Sequence, residues 1–250
     1  MVTLDFSYWL MLAGVTVITS IVSGIMGMAG GMLLLAVMLL RLEPSLAIPL
    51  HGIVQLVSNG SRALFLRRHV RWPAVWRFAW PLLPGGALGI WLLGYVPPSG
   101  SRIAIGAFVL VSTWLKSFFV IGTGESATRA LPVGGALVGF FSTLVGATGP
   151  LLGPFVLALE LGSQGTIATL AACQIFQHAS KVALFGLRGF NISGYLAPSV
   201  LLCACSILGS AIGTRLLDQI PEKHFKISVR LVLTALALQQ LYQGVTSLLR

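Results

Sequence analysis

From residue 8 to residue 40 the chain carries no charged side chain, and stretches 78–96, 103–115 and 130–159 are similarly clean. About 20 consecutive apolar residues suffice to cross a bilayer, so these stretches restrict the fold more than any other feature. Eight hydrophobic segments can be drawn, with approximate limits 8–40, 45–66, 78–96, 103–121, 131–159, 165–187, 194–215 and 227–249. The ten-residue alternating strands of a membrane barrel are absent, which leaves helices to do the spanning. Only 9% of residues are charged, against about 25% in a soluble domain; lipid, not water, must cover much of the surface. The N-terminus lacks a basic n-region and carries Asp5, so it reads as a first membrane helix and not as a cleaved leader. Cys173, Cys203 and Cys205 fall inside hydrophobic segments without metal-site spacing and read as small packing residues.

The net charge of +10 does not call for nucleic acid. Most basic residues flank hydrophobic segments, where they mark the cytoplasmic side. Arg67, Arg68, His69, Arg71 and Arg77 form the densest cluster, and Arg215, Lys223, Lys226 and Arg230 form a second.

The sequence repeats. Gly27-Met28-Ala29-Gly30-Gly31 resembles Gly146-Ala147-Thr148-Gly149-Pro150, 119 positions later. The same offset carries Ser23 onto Ser142, Gln55 onto Gln174, Asn59 onto His178, Ser61 onto Ser180 and Arg62 onto Lys181. After small gaps the pattern returns, Val96-Pro97 resembling Ile220-Pro221 and Arg102-Ile103 resembling Lys226-Ile227. The expected organisation is a first repeat over 1–121, a linker over 122–130 and a second repeat over 131–250. Duplication is a common build for transporters, whose sites sit near the midplane between the repeats, although channels and structural membrane proteins share it.

The second segment of each repeat carries a polar stripe. His51, Gln55, Asn59 and Arg62 share one face of a helix, and Gln174, Gln177, His178 and Lys181 form the matching set. A cation within the membrane costs at least about 2.5–3.5 kcal/mol, so such residues usually face the bundle interior or a wet cavity. The competing reading has Arg62 and Lys181 near helix ends, snorkelling to the interface. Gly24, Gly27, Gly30 and Gly31 interrupt segment 8–40, and Gly146, Gly149, Pro150, Gly153 and Pro154 interrupt 131–159. A helix that breaks and restarts there aims N–H groups and a positive dipole end into the bundle. Close helix packing of the G-x-x-x-G kind is the alternative for the first motif. The six acidic residues (Asp5, Glu43, Glu125, Glu160, Asp218, Glu222) lie at segment ends or in loops. A cavity of cations, amides and helix N-termini without carboxylates favours a negative substrate.

On these residues the chain resembles the sulfite exporter TauE/SafE family. Gly24-x-x-Gly27-x-x-Gly30-Gly31, Gly146-x-x-Gly149-Pro150 with Pro154, and the prolines Pro97 and Pro221 carry the likeness, which covers essentially the whole chain. The resemblance implies an all-α, multi-pass permease of the plasma membrane, exporting sulfur-containing anions such as sulfite or organosulfonates and needing no cofactor. Carried over, the expected substrate site is Gly27, Gly30, Gly31, Gln55, Asn59 and Arg62 with Gly146, Gly149, Gln174, His178 and Lys181. Asn59 and His178 differ between the halves, which makes the site asymmetric. Arg41 has Glu160 at its repeat-equivalent position, and nothing in the sequence accounts for that.

Basic residues follow the second segment of the first half but the third segment of the second half, a shift expected of inverted halves. With the cell interior negative, an anion leaves downhill by about 2.3 kcal/mol per charge per 100 mV, and an exporter of that kind needs no proton relay. The four histidines are scattered, with no nucleophile–base pair or metal cluster to suggest an enzyme. A scramblase, a structural membrane protein and a channel stand as rivals. Gln239, Gln240 and Gln243 are too polar for lipid contact and mark either a self-association face or packing within the bundle.

Overall fold

The computed structural model describes residues 6–115, 122–217 and 222–249. Among these residues all regular structure is helical: α1 (Phe6–Met26), α2 (Ala29–Met38), α3 (Pro44–Phe65), α4 (Trp72–Ala79), α5 (Leu82–Leu93), α6 (Pro98–Trp114), α7 (Glu125–Val145), α8 (Gly149–Leu157), α9 (Gly162–Leu187), α10 (Leu196–Leu216) and α11 (Glu222–Leu248). Asp5, Asp218, Ile220 and Pro221, and the side chains of Glu222, Lys223 and Lys226, lie outside the described residues. The basic stretch 67–77 is less of a loop than its charge suggests, because a 3₁₀ turn at Arg67–His69 leads directly into α4. Pro73, in the first turn, has no N–H to leave unpaired and starts the helix cheaply.

The distribution of side chains suits lipid. Ile18, Trp80, Val200 and Leu208 are more than half exposed, whereas Arg62 and Lys181 are fully buried. Water would not tolerate this arrangement, but hydrocarbon rewards it. Trp72 and Trp76 project at one end of the α4–α5 pair, and Trp91 and Tyr95 at the other, as in the two aromatic belts of a spanning segment. α1, α7 and 193–216 are each long and apolar enough to cross a membrane alone. α3 and α9 carry the polar stripes, and the 78–96 segment is broken at Trp80–Pro81, so neither hydropathy nor length singles these out.

Both long segments break at glycine. Gly27 ends α1 at φ +79° and Gly146 ends α7 at φ +81°, a left-handed backbone that only glycine adopts without strain. α2 then folds back along α1: a Cβ on Gly30 would overlap the Thr19 carbonyl and Ser23, and Tyr8 Oη, at the start of α1, donates to the Met38 carbonyl at 3.3 Å. The break and the close-packing readings therefore both apply, to different glycines of one motif. α8 returns along α7 in the same way, where Gly134 faces Phe155.

The bounds of α7 are those of α1 moved by 119 positions. Packing follows the same arithmetic. α1 lies against α10, and α7 against α5. Gly209 and Gly213 of α10 rest on the carbonyls of Val17 and Ile21, while Gly85 and Gly89 of α5 rest on those of Ala136 and Phe140. Ala136 and Phe140 are 119 positions beyond Val17 and Ile21, and Gly209 and Gly213 are 124 beyond Gly85 and Gly89. Because residue numbers rise together across each contact, both pairs run parallel. By contrast α3 and α9 run antiparallel, Gly52 meeting Lys181 and Gly165 meeting His69. α6 and α11 do the same, with Gly106 on Ala237 and Gly244 on Ser99.

No side chain fits between such glycines and the facing carbonyls. Gly85→Val and Gly209→Val should each lower the melting temperature of detergent-purified protein, overpacking costing at least about 1–3 kcal/mol. A methyl group added at Gly14 or Gly60 would meet nothing within 4 Å; Gly14→Ala and Gly60→Ala should leave the midpoint unchanged or raise it.

Candidate functional site

The polar stripes of α3 and α9 face each other across the bundle centre. His51, Gln55, Asn59 and Arg62 on α3, with Gln174, Gln177, His178 and Lys181 on α9, are all buried. Snorkelling does not describe either cation. The N-terminal ends of α2 and α8 converge on the same region, where Gly149 and Gly153 pack on Met28. Neither Met28 nor Thr148, the residues before these helices, closes its helix with a side-chain hydrogen bond. Two positive dipole ends therefore point at one place.

Between these elements lies a cavity of about 10 Å³, lined by Ser23, Gly27, Gly31, Gln55, Gly149, Gln174, Gln177 and His178 among others. That is room for about one water molecule. Of the expected residues, Gly30, Asn59, Arg62, Gly146 and Lys181 stand behind this wall. Gly30 is used in packing α2 on α1, and Gly146 supplies its carbonyl to Lys181. The direction in which a Gly31 side chain would project is taken by the Gln55 amide.

The two cations are held differently. Arg62 donates through Nη1 to Asn59 Oδ1 at 3.0 Å and through Nη2 to Ser58 Oγ at 3.3 Å. Ser58 in turn meets Ser210 Oγ at 3.0 Å, tying α3 to α10. Lys181 Nζ donates to the Gly146 carbonyl at 2.7 Å, at the negative end of α7, and lies 3.4 Å from His51 Nδ1. His51 Nε2 is 2.9 Å from the Gly31 carbonyl, and the rings of His51 and His178 meet edge-on with centroids 5.6 Å apart. Lys181 lies level with Gly52, whereas the Arg62 guanidinium is level with Ser58 and Asn59. The two charges are thus separated by about 10 Å along α3, one towards each end of the cavity.

Among the described residues, the buried side-chain atoms Arg62 Nε, Gln177 Oε1 and His178 Nδ1 make no hydrogen bond within the protein. Among the described residues the salt bridges are Arg102–Glu43 and Arg129–Glu125, so neither Arg62 nor Lys181 has a carboxylate partner. No group of histidine, cysteine and acidic residues among them could hold a metal.

Sequence reasoning misses several of these parts. His51 stands on the stripe but not in the expected site, and Ser58, Ser210 and Thr148 give no signal because hydroxyls are common in helices. Thr148 Oγ1 accepts from Gln177 Nε2 at 2.9 Å. In the sequence Arg102 marks only the repeat. In the fold it is buried, donating to the Leu39 carbonyl at 2.9 Å, Gln240 at 3.0 Å, Gln243 at 3.1 Å and Glu43 at 3.1 Å. Gln240 and Gln243 are therefore bundle contacts, clamping α11 and α6 to the end of the α1–α2 hairpin.

Asn59 is the better placed of two partners of a buried guanidinium, and removing it strands that charge. Asn59→Leu should destabilise the protein by about 1–3 kcal/mol. Adding Arg62→Met should restore much of the loss, since apolar replacement of a buried charge is often neutral or better. Thermal melts of the single and double variants in detergent measure both.

Residues 12–239 match the family model described as sulfite exporter TauE/SafE. No curated protein and no solved structure matches the chain.

Proposed function

The chain belongs to the sulfite exporter TauE/SafE family, and we propose that it is a secondary transporter carrying small sulfur-containing anions, sulfite or organosulfonates, out of the cell across the plasma membrane. Membership makes it a multi-pass membrane protein built for transport, in line with its apolar helices. The observation that carries the anion reading is the pair of fully buried cations, Arg62 and Lys181, held only by neutral partners. Each remains charge-uncompensated in a medium where an isolated ion is costly. An entering anion would supply the missing charge, with the N-terminal ends of α2 and α8 adding to the attraction.

In this reading the substrate occupies the cavity at Gly27, Gly31, Gln55, Gly149, Gln174 and His178. Lys181 and Arg62 stand at its two ends, with Asn59 positioning Arg62, and the Gly146 carbonyl holding Lys181. Two inverted repeats are supported by the antiparallel pairs α3/α9 and α6/α11, which require the pseudo-two-fold axis to cross the helices. Each half then crosses five times, α2 and α8 being the short arms of hairpins, and an odd count inverts the second half. A cavity with room for about one water must widen before an anion can occupy it. That favours a carrier that must change shape over an open channel, and leaves a scaffold role without a reason for the buried charges.

Efflux from proteoliposomes loaded with sulfite or a small organosulfonate tests the proposal. Wild-type flux should saturate, and Arg62→Gln and Lys181→Gln should each reduce it at least tenfold with folding intact. Undiminished flux in the variants would remove the cations from the substrate path; no flux of any such anion would reject the substrate class.

A further inference from the structure

Lys181 and His51 form a contact that an anion site does not by itself require: two basic side chains touching inside the bundle. The Gly31 carbonyl can only accept a hydrogen bond, so His51 Nε2, 2.9 Å away, carries the hydrogen and donates it. Nδ1 is then the lone pair, and the Lys181 ammonium, 3.4 Å away, points a hydrogen at it. A proton on Nδ1 would set two N–H donors against each other. While Lys181 and His51 are in contact, the pair therefore holds one proton beyond the Nε2 hydrogen and has no place for a second.

Other charges do not alter this. On the same two helices, Arg62 and His178 are the remaining titratable groups at the cluster: the Arg62 guanidinium disfavours extra positive charge, and His178 meets the His51 ring edge-on. Cys173 lies in a separate apolar core around Phe155 and Leu170. Of the charged side chains on elements packed against α3 and α9, Arg67, Arg68 and His69 of the 3₁₀ turn and Arg77, Glu125, Arg129 and Arg215 are exposed, and Arg102 is held by Glu43 and the two glutamines. No carboxylate among the described residues reaches the pair.

We propose that Lys181 and His51 are the proton-coupling pair of the transporter, so that each anion entering the site is accompanied by one proton. An anion is a stronger acceptor than Nδ1. The Lys181 ammonium turns towards it, which the bare Cα of Gly52 allows, since a methyl group there would fall 2.8 Å from Lys181 Cε. Nδ1, released, takes a proton from water, leaving hydroxide to the buffer, and the resulting imidazolium donates to the same anion. On release the proton leaves Nδ1 as Lys181 returns. A singly charged sulfonate would then move without net charge, and a dianion with a net charge of one, so the driving force differs from that of simple anion efflux.

The inference rests on the anion site proposed above, and one experiment separates the two. Purified protein is titrated with methanesulfonate and sulfate, which carry no titratable proton near neutrality, and with sulfite in alkaline buffer where it is the bare dianion. Heats are recorded in two buffers of unlike ionisation enthalpy. Binding of any of these anions with uptake of about one proton in wild type, and none in His51→Gln, is the expected result; the glutamine amide keeps a donor for the Gly31 carbonyl but does not titrate. Binding with heats independent of buffer in wild type overturns the proton coupling and leaves the anion site standing. No binding of any of the three overturns both. Should His51→Gln fail to fold, the wild-type proton count alone decides.

Discussion

Holding a guanidinium and an ammonium inside a helix bundle bathed in hydrocarbon is the demand that the rest of this structure answers. Neither charge is neutralised by a carboxylate; both are solvated by dipoles. For Lys181 the dipoles are a carbonyl at the end of α7 and an imidazole, and for Arg62 an amide and a hydroxyl. Offering a free carbonyl in mid-bundle requires that a helix stop there, which is what Gly146 does at φ +81°. A helix that stops inside a membrane must restart or return, because unpaired backbone groups are costly in lipid. The re-entrant arm α8, and α2 opposite it, follow from that requirement.

The glycine seams follow in turn. A ten-residue arm cannot hold itself in place, so the longer helix of each hairpin is anchored to the other half: α1 to α10 and α7 to α5. In both seams glycines spaced four apart sit directly on main-chain carbonyls, the closest approach two helices can make. Both seams thereby join a helix from residues 6–115 to one from residues 122–249. The likeness of the two seams stops at the site. Asn59 supports Arg62, but His178, its counterpart, leaves Nδ1 unpaired, and nothing at the first break holds a cation as Gly146 holds Lys181.

How much of this is legible in the chain depends on the kind of partner. Charge-free stretches point to membrane helices, and Gly27 with Gly146 to the helix breaks, because apolarity and glycine leave marks on the sequence itself. The stripe on α3 is equally plain, four polar residues standing out from an apolar background. What stays hidden are partners belonging to the main chain. The carbonyls of Gly146, Gly31 and Leu39 that receive Lys181, His51 and Arg102 have no letter of their own. The same is true of Gly209 and Gly213, whose significance lies in the carbonyls of Val17 and Ile21 opposite. Gln240 and Gln243 read equally well as an outward-facing polar patch until the fold sets Arg102, more than a hundred positions away, between them. Nor does hydropathy indicate that α3 and α9 belong to the membrane as firmly as α1, since the side chains that matter for function are those that lower it.

The absence of buried acids among the described residues takes on a different meaning beside the Lys181–His51 contact. A carboxylate in the cavity would neutralise Lys181 and compete with the substrate for it, so an anion site gains by excluding acids. That exclusion removes the usual carrier of protons within a membrane, and any coupling must then run through bases. A lone lysine serves poorly, since its charge would be fixed whenever an anion is near. Setting an imidazole against it creates a group whose protonation depends on where the ammonium points, and the ammonium points according to whether an anion is present. The two halves need different residues for this, and the sequence supplies them: Leu170 stands 119 positions beyond His51, so Arg62 has no matching base. On the proposed coupling, one end of the cavity exchanges a proton while the other keeps a constant charge, so the two ends of the site are chemically unlike.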